Sequence, residues 1–286
     1  MTWPPPGWKT YQDVHGADNT ITGTVLVYPK VEGAAGIPSR EIGVYLPPSL
    51  ARAKGDTTHR YPVLYFHDGQ NVFDARRAYI KIEWAADEAL EELAKTDGIE
   101  AIAVAVANDD DRRMDEYNPW PSAINHRGEP KKMGGKGDAY LDWLVGTVKP
   151  LVDRTFPTDT TRAATGLIGS SMGGLISLYG PMAHPRVFGM AGVMSPSVRW
   201  SRFRIIDFIE DGKLPRTRIH LDMGGREWKG MTDDARKVRD ALLACGWVEG
   251  RDLNYVEERY ATHNEAAWAR RLPDALRFLL ADFKRS

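Results

Sequence analysis

The sequence has one cysteine, Cys245, which excludes an internal disulfide framework and a cysteine-rich zinc site. Neither sign of charge is in excess, since 38 lysines and arginines stand against 39 aspartates and glutamates. Nucleic acids and anionic membranes select basic surfaces, so we expect neither partner. The longest apolar run, from Ala101 to Ala107, has seven residues, whereas a membrane span needs about 20. The first residues do not show a basic segment followed by an apolar one, so we expect no signal peptide and a cytoplasmic location.

What is present is the composition of a folded globular protein, with 42% hydrophobic and 27% charged residues in 286. A single α/β domain over residues 1–286 is expected at this length. Residues 1–20 are rich in Pro, Gly and Trp, which indicates an irregular lead-in on the surface.

Short apolar segments alternate with segments of helical periodicity along most of the chain. The predicted strands are 21–30, 40–46, 62–66, 100–107, 164–168, 188–194, 217–223 and 253–258. The predicted helices are 84–95, 139–152 with a kink at Pro150, 172–180, 233–244 and a C-terminal helix from Trp268 to Phe283. This alternation predicts an α/β fold with a mostly parallel, doubly wound sheet. The first two strands follow each other without a helix, so we expect an antiparallel N-terminal edge.

Residues 108–138 form a long insertion with little periodicity and many charges, Gly and Pro. Such segments in compact domains are usually functional or disordered. The insertion follows a buried strand, which places it near the carboxyl ends of the sheet, where open α/β sheets bind ligands. We expect it to contribute to a ligand site and to make few core contacts.

The strongest chemical signal is the run Gly169-Ser170-Ser171-Met172-Gly173, which fits G-x-S-x-G with Ser171 at its centre. A predicted strand precedes it and a predicted helix follows, as this motif requires. The turn is so tight that its glycines replace residues whose Cβ would clash, and the serine projects from the sheet edge. Ser171 is therefore the candidate nucleophile.

A serine hydroxyl becomes an effective nucleophile only when a base takes its proton. Among seven histidines, His263 lies between the last predicted strand and the C-terminal helix. A loop there returns to the sheet edge that carries Ser171, so His263 is the candidate base.

The base needs a carboxylate partner, which in this chain order follows strand 217–223. Four acidic residues are candidates: Asp222, Glu227, Asp233 and Asp234. An oxyanion hole also needs two backbone N–H groups. We expect one from Met172, at the helix N-terminus, and one from Gln70, in the loop after strand 62–66.

Six segments together resemble a known family. They are LYFHDGQNVF (64–73), RRMDEYNPW (112–120), GSSMGGLISLY (169–179), FGMAGVMSPS (188–197), DMGGRE (222–227) and THNEAAWARRLPDALRFL (262–279). They resemble the putative esterase family of α/β-hydrolases, which includes esterase D, feruloyl and acetylxylan esterases and enterochelin esterases. The resemblance spans residues 38–282. It implies Ser171 as nucleophile, Glu227 as acid, His263 as base, and Gln70 and Met172 as oxyanion donors.

Strand geometry also favours Glu227 over Asp222. Asp222 lies within a predicted strand, whose side chains point to the faces of the sheet and not along its edge. Gly224 and Gly225 let the chain leave the sheet before Glu227.

These residues predict a serine carboxylic-ester hydrolase that forms an acyl-enzyme, acts on a small-molecule ester and needs neither cofactor nor metal. Four aromatic residues are expected to wall the pocket: Tyr117, Trp120, Trp200 and Trp228. Two alternatives stay open. One is an acyltransferase or peptidase with the same triad, and the other is a binding protein that retains the fold without catalysis.

Overall fold

The computed structural model describes residues 3–34, 36–54, 57–126 and 129–284. Nine strands form one sheet in the order β1-β2-β3-β5-β4-β8-β9-β10-β11. They are β1 (Lys9–Thr10), β2 (Thr24–Val31), β3 (Arg40–Leu46), β4 (Val63–Phe66), β5 (Ile102–Val106), β8 (Thr165–Ser170), β9 (Met190–Met194), β10 (Arg218–Gly224) and β11 (Leu253–Glu258). Strands β6 (Ser122–His126) and β7 (Glu129–Met133) form a separate hairpin.

Six neighbouring strands, from β5 to β11 in the sheet order, are parallel. The strands at the N-terminal edge pair in antiparallel fashion. The predicted mostly parallel sheet with an antiparallel N-terminal edge is confirmed.

Ten α-helices are described around this sheet. They are α1 (Tyr11–His15), α2 (Pro48–Ala53), α3 (Ala86–Thr96), α4 (Arg113–Glu116), α5 (Gly137–Trp143), α6 (Lys149–Thr155), α7 (Met172–Ala183), α8 (Arg204–Glu210), α9 (Met231–Ala244) and α10 (Glu265–Leu279). Within the described ranges, no helix is both long and apolar enough to cross a membrane.

The sheet is buried on both faces, because alternate side chains of each central strand enter different hydrophobic clusters. On β4, Val63 and Tyr65 pack into one cluster, while Leu64 and Phe66 pack into the other. The second cluster contains α3 and α10 side chains, whereas the first contains those of α5 to α8. This burial explains the continuous apolar strands of the sequence.

Two expectations are wrong: that the lead-in is irregular and lies on the surface, and that the insertion makes few core contacts. The lead-in carries β1 and α1, and its Trp8 and Tyr11 side chains are buried because they extend the core past the edge strand. The insertion 108–138 contains α4 and the β6–β7 hairpin, and Glu116 is fully buried in a two-fold hydrogen-bonded ion pair with Arg40.

The predicted helix over 139–152 is three consecutive pieces. A π-helical turn, Leu144–Val148, separates α5 from α6. Pro150 lies just after this turn. Since proline lacks an N–H and clashes with the preceding turn, it accounts for the local irregularity.

Candidate active site

Ser171 stands at the turn between β8 and α7, with φ 58° and ψ −118°. This backbone conformation is strained for a residue with a Cβ. A Cβ on Gly169 would lie 2.8 Å from the carbonyl carbon of Gly173, so the turn closes only with glycine there. The Ser171 hydroxyl is hydrogen-bonded to the Ser197 hydroxyl, with 3.0 Å between the oxygens.

The loop after β4 lies beside this turn. A Cβ on Gly173, in the first turn of α7, would be 3.4 Å from His67 Cβ. Asp68 takes the left-handed conformation, with φ 56°. Gly69 is required by close approach, because its Cβ would lie 2.6 Å from the backbone of Ala105. Gln70 follows in a short 3₁₀ turn, and its side-chain oxygen accepts the N–H of Asn108 at 3.1 Å.

The insertion holds this loop in place. Arg113 donates from Nε and Nη2 to the two carboxylate oxygens of Asp68, each at 2.7 Å. The Tyr117 hydroxyl accepts the Asp68 N–H at 3.1 Å. Burial raises the pKa of Asp68, but the Arg113 guanidinium and the Asn108 hydrogen bond, with a smaller effect of His67, together hold it below its ordinary value. Burial lowers the pKa of His67 to about 4, which keeps this imidazole neutral at pH 7.

His263 and Glu227 meet at the carboxyl end of the sheet. His263 lies between β11 and α10, and its Nδ1 is 2.7 Å from Oε2 of Glu227. The Glu227 side chain is fully buried. Its other oxygen, Oε1, accepts the Gly224 N–H at 2.8 Å and the Ser195 hydroxyl at 2.6 Å. Three hydrogen bonds thus orient this carboxylate.

The other three candidate acids pair with arginines. Asp222 Oδ1 accepts from Arg271 Nη2 at 3.0 Å and is fully buried beneath the site. Asp234 pairs with Arg199, and Asp233 lies 3.2 Å from Arg236 at the start of α9. Of the four candidates, Glu227 is the one that bonds to His263.

A groove of about 170 Å³ runs from Ser197 to Trp228. Trp200 and Trp228 line it, and the Trp228 ring lies 4.5 Å from the His263 ring. The groove therefore runs between Ser197, which is hydrogen-bonded to the candidate nucleophile, and Trp228, which packs against the candidate base.

Two of the four predicted wall residues lie elsewhere. Tyr117 is fully buried and supports Asp68 from behind, so its placement in the pocket wall is wrong. Trp120 is also buried, with edge-on contacts to Tyr179 and Phe208. Aromatic rings in this insertion pack inward because it is part of the core.

Four residues that contact the candidate triad were not predicted as site residues: Ser195, Ser197, Trp268 and Arg271. Ser195 and Ser197 follow β9 at the carboxyl edge of the sheet, in the run Ser195-Pro196-Ser197. Two small polar residues at the end of a buried strand were the signal that could have identified them.

Carboxylate oxygens of Glu83, Asp87 and Glu88 lie within 4.8 Å of one another at the start of α3. These side chains bond to Thr20 and Thr22, not to the candidate triad. Helix N-termini favour carboxylates, which accounts for acidic residues there.

Fold and site together define the class: a mostly parallel α/β sheet of the hydrolase type with a strained serine at the strand-to-helix turn. The model of the family described as putative esterase matches residues 38–279. The chain belongs to this family, and the membership supports hydrolysis of ester bonds as its activity.

The uncharacterized protein YbbA of Bacillus subtilis is 26% identical over 249 residues, which cover 84% of this chain and 92% of that protein. The crystal structure of the BES protein from Bacillus cereus superposes with a TM-score of 0.69 at 17% identity, covering 98% of each chain. Siderophore hydrolase EstA from Aspergillus nidulans gives 0.68 at 19% identity, covering 88% of this chain and 95% of that one. These structural similarities show a shared fold.

Proposed function

We propose that the protein is a serine carboxylic-ester hydrolase with Ser171 as nucleophile, His263 as base and Glu227 as its carboxylate partner. The observation that carries the proposal is the 2.7 Å contact between Nδ1 of His263 and Oε2 of Glu227. An ionised carboxylate only accepts hydrogen bonds, so Nδ1 carries the proton of the neutral imidazole. Nε2 is then the basic nitrogen.

The reaction begins when the Ser171 hydroxyl turns from Ser197 towards His263. Nε2 takes the proton while the Ser171 oxygen attacks the ester carbonyl carbon. The N–H groups of Gln70 and Met172 stabilise the oxyanion, and the α7 dipole adds to this stabilisation. His263 returns the proton to the departing alcohol, and water then hydrolyses the acyl-enzyme by the same route.

The groove lined by Trp200 and Trp228 receives one side of a small-molecule ester. Aromatic rings offer a flat apolar surface with little conformational entropy to lose. No step in this mechanism uses a metal or a cofactor, so we expect full activity in excess EDTA.

The test compares Ser171→Ala and His263→Ala with wild type on a p-nitrophenyl ester series and a feruloyl ester. Each variant should lose about 10⁴-fold or more in kcat, and the double variant should be little worse than either, because the two residues act as a unit. Ser177→Ala is a matched control, since its hydroxyl bonds within α7 to Gly173 O.

A fluorophosphonate probe should label Ser171 of wild type in a peptide map, and product analysis with added alcohols separates hydrolysis from acyl transfer. A Ser171→Ala variant that keeps a tenth of wild-type activity excludes the serine mechanism. Absence of labelling and of turnover in wild type would favour the binding-protein alternative.

A further inference from the structure

Ser195 is a fully buried residue behind the candidate triad, one position after β9. Its hydroxyl oxygen contacts three polar side chains. It lies 2.6 Å from Oε1 of Glu227, 3.0 Å from Nε1 of Trp268 and 3.0 Å from Nη2 of Arg271. No step of the mechanism above uses it.

The chemistry of these three partners fixes the direction of the Ser195 hydrogen. A hydroxyl has one hydrogen and two lone pairs, whereas an indole N–H and a guanidinium only donate. Trp268 and Arg271 therefore occupy both lone pairs, and the single hydrogen must point to Glu227. All hydrogen-bonding capacity of Ser195 is used.

The backbone holds Ser195 in a position from which its hydroxyl can donate to Glu227. Ser195 takes a left-handed conformation, with φ 43°, which is uncommon for a residue with a Cβ. Its N–H donates to the backbone carbonyl of Asp222 at 3.0 Å. Arg271, which is also buried, is held in turn by Asp222 and lies 3.4 Å from Glu258.

The same network reaches the candidate base. The Trp268 indole, whose N–H bonds to Ser195, packs edge-on against the His263 ring, with 4.9 Å between centroids. Among the residues that the structure describes, Ser195 is thus the one whose side chain bonds both to the Glu227 carboxylate and to the indole that supports His263.

We propose that Ser195 is a positioning residue: its O–H locks the rotamer of Glu227 so that Oε2 faces Nδ1 of His263. This inference rests on the proposed function. Without the hydroxyl, Oε1 of Glu227 retains the Gly224 N–H at 2.8 Å and the Arg271 guanidinium at 3.9 Å, which is too far for a hydrogen bond. It loses the Ser195 hydroxyl at 2.6 Å, its shortest hydrogen bond. The carboxylate then rotates away from Nδ1 for part of the time, and the imidazole loses its orientation.

The test uses Ser195→Ala and Ser195→Gly, with Ser177→Ala as control. Glycine suits the positive φ of position 195, so that variant removes the hydroxyl without backbone strain. We expect kcat to fall about 10- to 100-fold in both Ser195 variants, which is the loss found when the hydrogen-bond partners of metal ligands are removed in other proteins. KM should stay within about threefold, because Ser195 does not reach the groove.

The pH profile of kcat/KM distinguishes positioning of Glu227 from a role in folding alone, because a change in stability would not shift this profile. A nearby anion favours the imidazolium, so a displaced Glu227 should shift the midpoint of the acidic limb downward in Ser195→Ala. Addition of Ser195→Ala to Glu227→Ala should change kcat by less than about twofold, because Ser195 acts through Glu227.

Wild-type-like kcat and pH profile in both Ser195 variants would overturn the inference, even where Ser171→Ala is inactive and the proposed mechanism stands. Full additivity with Glu227→Ala would overturn it too. Loss of cooperative folding in both variants would show that Ser195 serves the fold. Activity that survives in Ser171→Ala would instead count against the proposed function.

Discussion

The Arg271 guanidinium holds Asp222 in a buried ion pair and lies 3.9 Å from Oε1 of Glu227, beyond hydrogen-bond distance. Nη2 of Arg271 lies 3.0 Å from Oδ1 of Asp222, and both side chains are buried. A carboxylate engaged in a buried ion pair cannot turn to a second partner without leaving a guanidinium uncompensated. This relationship separates the two neighbouring acids into a structural one and a candidate catalytic one.

The first prediction follows from that separation. Glu227→Gln should lower kcat about 10²- to 10⁴-fold, because an amide no longer holds the imidazole in the required tautomer. Asp222→Asn should act mainly on stability, lowering the free energy of unfolding by about 3–5 kcal/mol because it breaks a buried ion pair. Urea melts and steady-state kinetics per folded molecule measure both. A nearly fully active Glu227→Gln beside a folded but crippled Asp222→Asn would reverse the assignment.

The second prediction concerns the insertion. Glu116→Gln should lower the free energy of unfolding by about 3–5 kcal/mol, because the charge of buried Arg40 loses its partner. Asp110→Asn, at an exposed position of the same insertion, should change it by no more than about 0.5 kcal/mol. Chemical denaturation measures both values. Equal stabilities for the two variants would mean that the insertion is peripheral after all.

The third prediction concerns the groove. Trp228 is 67% exposed and lies against the His263 ring. Trp228→Ala should raise KM for bulky aromatic esters about 3- to 10-fold, the loss expected for one aromatic contact, and should leave KM for an acetate ester nearly unchanged. Tyr79→Ala, a remote position that is 82% exposed, is the control. A uniform loss on all esters would place Trp228 in the chemistry instead of in substrate binding.

The fourth prediction is a pH dependence of stability. Burial, followed by a hydrogen bond with Glu88, raises the pKa of Asp87 to about 9. An unfolded aspartate has a pKa near 3.9. Between these values the folded protein retains a proton that the unfolded chain has lost, so stability from this group is complete below about pH 4 and declines up to about pH 9.

Asp87→Asn removes this titration and retains an oxygen that can accept the Thr22 N–H. The melting temperature of the variant should fall less steeply than that of wild type from pH 5 to pH 9. The difference between them should therefore grow with pH in favour of the variant. Asp110→Asn serves again as the control. Parallel melting curves across this range would contradict the raised pKa.

Much of the architecture was predictable because buried strands leave a local pattern. The predicted strands 40–46 and 253–258 match β3 and β11 in both bounds, and the other six predicted strands match strands of the sheet to within three residues at each end. Such segments must be apolar over four to eight residues whichever neighbours cover them. The lead-in could not be predicted in this way, because β1 spans two residues and exists through its pairing with β2.

The residues of the candidate site likewise fall into those that a local pattern identifies and those that it does not. Ser171, His263 and Gln70 could be named from the sequence because each lies in the turn or loop that follows a strand, where a parallel sheet exposes its carboxyl edge. Ser195 also follows a strand, but its role could not be inferred in this way, since that role comes from Glu227, Trp268 and Arg271, which lie at least 32 residues away along the chain.

The sequence by itself determined the mostly parallel sheet, the alternation of strands and helices along the chain, and the turn that strains Ser171. Hydrophobic periodicity and the requirement for glycine in a tight turn both act over a few neighbouring residues. Tertiary structure alone decided that Tyr117 and Trp120 face the core and that Arg271 binds Asp222. These outcomes depend on which charges and rings meet across the fold. A buried charge is unfavourable unless an opposite charge lies beside it. Which charges lie side by side depends on the tertiary structure and is not encoded in the local sequence.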